Sequence, residues 1–165
     1  MEVWDILDKS GQPTGKTVVR KRVCLQKGEY HLVVHIWILG SDGRVLIQRR
    51  SLTKPLMPGE WAATGGSVIS GENSEDAAKR ELKEELSINA DEDNLCFVAR
   101  MPRKNSVLDI YSLHKNIDID SLTLQADEVD RVKWVTADQL KSMVKNGQFH
   151  NYGFEYFNHI YSLIK

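Results

Sequence analysis

The stretch GSVISGENSEDAAKRELKEELSI, residues 66–88, carries an unusual spacing of charges. Glu81, Glu84 and Glu85 stand at i, i+3 and i+4, so on a helix the carboxylates share one face, while Ala77, Ala78, Leu82 and Leu86 form the opposite, apolar face. Like charges at that spacing cost a few tenths of a kcal/mol per pair, roughly, in an isolated helix. The arrangement makes better sense with a cation shared among them. Carboxylate oxygens select hard cations, magnesium or manganese above all, whereas zinc and copper recruit His or Cys. A plain solvated acidic face, with Lys79 and Lys83 as counter-charges, is the competing reading of any Glu-rich helix. Gly65-Gly66 and Gly71 ahead of the helix favour the cation, because glycine lets backbone approach a ligand closely.

Asn73 or Ser74 caps the start of this helix, and Glu75 and Asp76 in its first turn complement the macrodipole. Upstream, residues 3–7 and 17–24 read as short strands around the turn-rich residues 8–15. Residues 31–39 and 44–49, joined by Ser41-Asp42-Gly43, form a second hairpin, and residues 61–66 lead a short strand into the glycine loop. Downstream, residues 94–100, 107–114 and 129–135 read as strands, and residues 137–145 and 154–164 as packing helices with apolar faces. The order predicts an α+β fold in which a mixed β-sheet is sandwiched between α-helices.

The whole of residues 66–88 resembles the Nudix box, G-x5-E-x7-R-E-U-x-E-E-x-G-U, where U is a bulky aliphatic residue. Gly66, Glu72, Arg80, Glu81, Leu82, Glu84, Glu85 and Ile88 fall on motif positions, and only Ser87 departs, standing where the family has Gly. A motif of this length with fixed spacing is specific. Since the family's glycine lies where a helix ends in a left-handed residue, Ser87 puts the helix terminus in question, and Asn89 is the alternative cap.

The resemblance implies the layered Nudix fold over residues 1–165 as one domain, and hydrolysis of a nucleoside diphosphate linked to another group, or of a related diphosphate. It implies Glu84 and Glu85 as core ligands of Mg2+ or Mn2+, Glu81 as a further ligand or as the base, and the carbonyl of Gly65 as an extra ligand. Gly66, Glu72 and Arg80 are then structural, with Arg80 a partner of Glu72. Relatives place the base either on the box helix or in a later loop, where Glu128 of Asp127-Glu128 is the candidate; a carboxylate at a strand start is as commonly just solvated. For the substrate phosphates, Arg49, Arg50 and Lys54 precede the glycine loop, and Arg103 and Lys104 sit between two strands, although most such residues are surface charge. Trp61 and Tyr111 read better as core than as base-stacking residues.

A narrower likeness runs from His31 to Glu72, through Gln48-Arg49-Arg50, Lys54 and Pro58-Gly59-Glu60-Trp61, to isopentenyl-diphosphate isomerase and its Nudix relatives. The isomerase needs a Cys acid/base and metal-binding histidines. Here its Cys position holds Gly65 and the next His position holds Ser67, so a hydrolase of this branch fits better, with His31 a strand residue whose hydrogen bonds are satisfied. A Nudix module that senses a nucleotide without cleaving it is the alternative from another class.

The 165 residues supply a sizeable core, and a net charge of -1 gives no global attraction for a nucleic-acid polymer or an anionic membrane. Cys24 and Cys96 match no metal or redox spacing and read as reduced core residues. No basic leader or long apolar run is present, so a cytoplasmic protein acting on a small-molecule diphosphate is expected. A homodimer through the N-terminal hairpin or the C-terminal aromatic helix is compatible with the sequence.

Overall fold

In a computed structural model, residues 2–20, 25–91 and 95–164 are described. The strands are β1 (Val3–Leu7), β2 (Pro13–Val19), β3 (His31–Leu39), β4 (Val45–Arg50), β5 (Trp61–Ala62), β6 (Thr64–Ser67), β7 (Cys96–Pro102), β8 (Ser106–His114) and β9 (Val129–Val135). The helices are α1 (Ser74–Leu86), α2 (Ala137–Lys145) and α3 (Phe154–Leu163). β1 and β2 form a two-stranded antiparallel ribbon. The other strands form a mixed seven-stranded sheet in the order β5-β4-β3-β8-β7, with β6 also on β3 and β9 also on β4. β3 pairs parallel with β8 from His31↔Ser106 to Leu39↔His114.

Strand alternation assigns the two layers, because successive side chains leave a strand on opposite faces. Val34, Ile36 and Ile38 of β3, with Leu46, Tyr111 and Leu113, pack on the apolar face of α1 through Ala77, Ala78, Leu82 and Leu86. Trp37 and Leu39 of the same strand, with Val45, Ile47, Leu108 and Ile110, pack on the other face against Leu140 and Met143 of α2 and Tyr156, Phe157 and Ile160 of α3. The sheet is therefore covered on both sides, as the order of elements predicts. Among the described residues no helix is long and apolar enough to cross a membrane.

Several local expectations need correction. β2 begins at Pro13 rather than near Thr17; as one strand of a two-stranded ribbon it tolerates a residue with no N–H to donate. Residues 21–24, where the expected strand ends, lie outside the described residues, and so does Asn94 at the start of the strand expected over 94–100, which runs Cys96–Pro102 as β7. Cys96 is a free thiol but exposed, since it opens the outermost strand of the sheet, and Cys24 is not described.

The helix terminus is the more instructive case. Asn73 caps α1, its side chain accepting from the Asp76 N–H at 2.8 Å, as expected. At the other end Ser87 itself, not Asn89, takes the left-handed conformation at φ 57, ψ 24. Two bonds close the last turn, from Ser87 N–H to Lys83 O and from Ile88 N–H to Leu82 O, each 3.1 Å. A left-handed non-glycine residue costs about 1 kcal/mol or somewhat more. The serine hydroxyl offsets this by donating to Leu86 O at 2.6 Å and accepting from the Thr123 N–H at 2.8 Å. Ser87→Gly should therefore leave stability within about 0.5 kcal/mol of wild type, the relieved strain cancelling the lost bonds. Ser87→Ala, which keeps the strain and loses the bonds, should cost about 1 kcal/mol or more in urea denaturation.

Candidate active site

The site begins where β6 lies against β3, with His35 opposite Gly65 and Val34 opposite Gly66. A Cβ at Gly65 would run into the Val34 carbonyl, which excludes a side chain there, and one at Gly66 would displace the Glu81 carboxylate from its present place. The two glycines let the strand and the helix carboxylate close on each other.

Arg80 fastens this contact. Its Nε and Nη2 donate to the two Glu72 oxygens at 2.9 and 3.0 Å, and Nη2 also donates to Ser67 O at 3.1 Å. Its Nη1 donates to Glu81 Oε1 at 2.7 Å and to Glu84 Oε2 at 3.2 Å. Glu72 in turn accepts from the Ile69 N–H at 3.2 Å. Arg80 thus joins the loop to the helix, which is the role expected for it. Burial opposes its charge, but the bonds to Glu72 and Glu81 outweigh that and raise its pKa.

Glu85 is the most enclosed carboxylate of the helix, with 5% exposure, and Oε2 accepts from Gln48 Nε2 at 2.8 Å. Gln48 is held by Thr64, whose hydroxyl donates to Gln48 Oε1 at 2.9 Å. Burial pushes the Glu85 carboxyl up to about 8, against the Gln48 bond and with the charges of Glu81 and Glu128 adding to it. Burial also raises Glu81, opposed by its bond to Arg80. Glu84 is half exposed.

Glu81, Glu84, Glu85, Gly65, Gly66 and Arg80 line one cavity of about 390 Å³ that Glu128 reaches from the segment before β9. The donor chemistry fits a hard divalent cation: carboxylates on successive helical turns, one of them buried enough to hold its proton. They are not converged, however. Among the described residues no three His, Cys, Asp or Glu side chains stand as a ready cage, because Glu81 and Glu84 turn to Arg80 and Glu85 to Gln48. A cation here would compete with those partners.

The basic residues separate by their surroundings. Arg49 is committed to an ion pair with Asp130 and does not line the cavity. Lys54 lines it but is paired with Glu128. Arg50 lines it with its Nε donating to Leu56 O at 3.1 Å. Arg103 reaches it from the β7–β8 turn, over the Tyr152 ring at 5.4 Å, while Lys104 stays exposed outside it. Trp61 lies under Lys133 and Tyr111 is buried with its hydroxyl on Ser74, so neither faces the cavity.

His35, His150 and Tyr152 line the cavity as well, and nothing in their local sequence marks them. His31 lines it stacked on Trp4, ring centroids 4.1 Å apart. Contrary to expectation, His31 Nδ1 is buried with no hydrogen-bond partner among the described residues, and so is Nε1 of the Trp4 indole on which the ring stacks. Burial, with the charges of Arg20 and Arg103, lowers its pKa to about 4. His35 is held well below the usual histidine range by burial first, then by Arg103 and His150.

Comparison with known proteins gives the family of the chain. The NUDIX domain family matches residues 29–155. An uncharacterized Nudix hydrolase of Listeria innocua is 37% identical over 155 residues, covering 93% of this chain and 91% of its own. An isopentenyl-diphosphate Delta-isomerase of Brevibacterium linens is 29% identical over 153 residues, covering 87% and 82%. The crystal structure of DR0079 from Deinococcus radiodurans superposes with a TM-score of 0.79 at 24% identity, over 91% of this chain and 93% of that one, which shows a common fold. Motif, fold and near full-length likeness to a Nudix hydrolase coincide, and on that basis this chain belongs to the Nudix hydrolase family.

Proposed function

We propose that residues 1–165 act as one cytoplasmic Nudix hydrolase domain that uses magnesium or manganese to cleave the pyrophosphate linkage of a nucleoside diphosphate derivative or a related diphosphate. The observation that carries this reading is the meeting in one cavity of Glu81, Glu84, Glu85 and Glu128 with Arg50 and Arg103, two arginines that have no carboxylate partner among the described residues. One set of groups suits a cation and the other suits phosphate oxygens.

A diphosphate entering the cavity brings several negative oxygens, and Arg50 and Arg103 supply charge-assisted donors for them. A bound divalent cation supplies neutralisation of those oxygens and a lowered pKa for water. Glu84 and Glu85, with Glu81 and the carbonyl of Gly65, are the ligands this reading assigns. Glu72, Gly66 and Arg80 hold the helix to the loop. Glu128, ion-paired with Lys54 at the cavity, is the residue this reading assigns to take the proton of the water as its oxygen adds to phosphorus and the bridging P–O bond breaks. Arg49, spent on Asp130, is left out of the substrate set.

The isomerase reading has less support, since Gly65 and Ser67 offer neither a thiol nor an imidazole for a proton transfer to carbon. Isopentenyl diphosphate should accordingly undergo no isomerisation, as followed by proton NMR of the allylic product.

Wild type with magnesium or manganese should release phosphate or a nucleotide product from at least one member of a panel of diphosphates. Glu85→Gln should lower kcat/KM at least about a hundredfold, since it removes a ligand of the cation. Full turnover by that variant defeats the assignment, and nucleotide binding without product by wild type would instead support a sensor.

Stability should report the same carboxylate. A glutamate ordinarily ionises near 4.5, whereas folded Glu85 keeps its proton to about 8. Between those values the unfolded chain has lost a proton that the folded chain retains, so the contribution of Glu85 to stability falls as pH rises from about 4.5 to 8 and is level above. Tm of metal-free protein should fall across that window, Glu85→Gln should flatten the decline, and manganese should raise Tm more at pH 8 than at pH 5.5.

A further inference from the structure

Behind the cavity wall opposite the carboxylates, three buried side chains form a chain of hydrogen bonds. Trp37 Nε1 donates to the Tyr156 hydroxyl at 2.8 Å, and that hydroxyl lies 2.9 Å from His35 Nδ1. Trp37 and Tyr156 are essentially sealed, with 0% and 1% exposure, and Tyr156 does not itself line the cavity. The His35 ring is further pinned by Tyr152, centroids 4.7 Å apart.

This arrangement decides the tautomer. An indole N–H only donates, and a phenol has one proton to give. If His35 Nδ1 also donated to the hydroxyl, the phenolic proton would be buried with no acceptor, which costs the full desolvation of that group. The satisfied arrangement has Tyr156 donating to an unprotonated Nδ1, so the imidazole is neutral and its hydrogen resides on Nε2. That nitrogen has no hydrogen-bond partner among the described residues, is not among the sealed atoms without one, and belongs to a side chain that lines the cavity. His35 therefore offers the cavity a single, oriented, uncharged N–H donor.

The remaining question is what it addresses. Phosphate oxygens in this cavity have Arg50 and Arg103, whose charged bonds are roughly twice as strong as a neutral one. A neutral donor contributes little there, but it discriminates well for an uncharged acceptor, because a substrate lacking that acceptor leaves the N–H unpaired. We propose that His35 is a specificity-determining residue whose Nε2–H donates to an uncharged oxygen, carbonyl or hydroxyl, on the group that the diphosphate carries, and that Tyr156 is the positioning residue that fixes this tautomer. The proposal rests on the diphosphate-hydrolase reading above.

Two measurements on the full-length protein test it. Nitrogen-15 NMR of histidine-labelled protein without substrate should show the His35 ring protonated at Nε2, and Tyr156→Phe, which removes the proton donated to Nδ1, should move the Nδ1 resonance toward that of an unprotonated ring nitrogen with no hydrogen bond. A wild-type ring protonated at Nδ1 overturns the proposal outright. Kinetics would then compare His35→Asn, which lacks a donor at the Nε2 position, with His35→Gln, which restores one, after thermal melts show both folded. With the substrate found in the diphosphate screen, His35→Asn should raise KM by about 3- to 10-fold with kcat within about twofold, and His35→Gln should recover most of the loss. Inhibition by inorganic pyrophosphate, which carries no such group, should be the same in wild type and both variants. Equal weakening of pyrophosphate inhibition in His35→Asn would mean that the histidine serves phosphate, and an unchanged KM would mean that it serves nothing in the complex; either overturns the proposal. Absence of turnover by wild type on every diphosphate defeats the hydrolase reading and the proposal with it, while the NMR result still shows whether the tautomer argument held.

Discussion

The arginine that ties the glycine loop to the box helix is the interaction on which the rest of the site depends. Arg80 spends its donors on Glu72, Ser67 O, Glu81 and Glu84, and those partners come from both sides of the loop–helix turn. The pairing with Glu72 is bidentate and little exposed, 23% for the arginine and 13% for the glutamate. Removing one partner from an enclosed pair of this kind costs about 3 kcal/mol, most of it from the charge left behind. The clamp also decides where the carboxylates stand. By bonding Glu81 and Glu84 through the same Nη1 it sets one positive charge between two carboxylates that would otherwise repel across one helical face.

Close packing at Gly65 and Gly66 is the complement of that clamp. The arginine pulls helix and loop together, and the missing side chains let them arrive. Beneath the contact, Thr64 and Gln48 form a short relay that ends on Glu85, so a residue of β4 and a residue of β6 jointly orient a carboxylate of α1. A site built this way is preorganised by elements anchored in the sheet, while the Glu84 carboxylate remains half in solvent.

The two walls of the cavity answer to different physics. The α1 wall is a concentrated negative field in which burial sets the ionisation of Glu85 and Glu81. The opposite wall carries His35, His150, Tyr152 and Arg103, with Tyr152 packed on Tyr156 of α3; burial holds His35 well below the usual histidine range and pushes the Tyr152 phenol up to about 12. Carboxylates line the first wall, and imidazole and aromatic groups line the second. Their juxtaposition comes from β3, which lays Val34 and Ile36 on the α1 core while turning His35 and Trp37 to the aromatic side.

The i, i+3, i+4 spacing of Glu81, Glu84 and Glu85, the apolar stripe opposite them, and the Asn73 cap are short-range relations, so the sequence alone determined the box helix, its metal-type face and the alternation that makes the sheet a two-faced layer. The pairing of Arg80 with Glu72, also local, was legible for the same reason. What only the tertiary structure decided depends on residues far apart in the chain. His35 meets Tyr156 across 121 positions and Lys54 meets Glu128 across 74, and neither pairing leaves a periodic trace in sequence. Arg49, Arg50 and Lys54 are alike as letters and distinct as neighbours: one is neutralised by Asp130, one faces the cavity without a carboxylate, and one is paired with Glu128. Ser87 and His31 were misjudged on the same ground. A hydroxyl bond to Thr123 and a stack on Trp4 are long-range contacts, and no local propensity encodes where a distant side chain will stand.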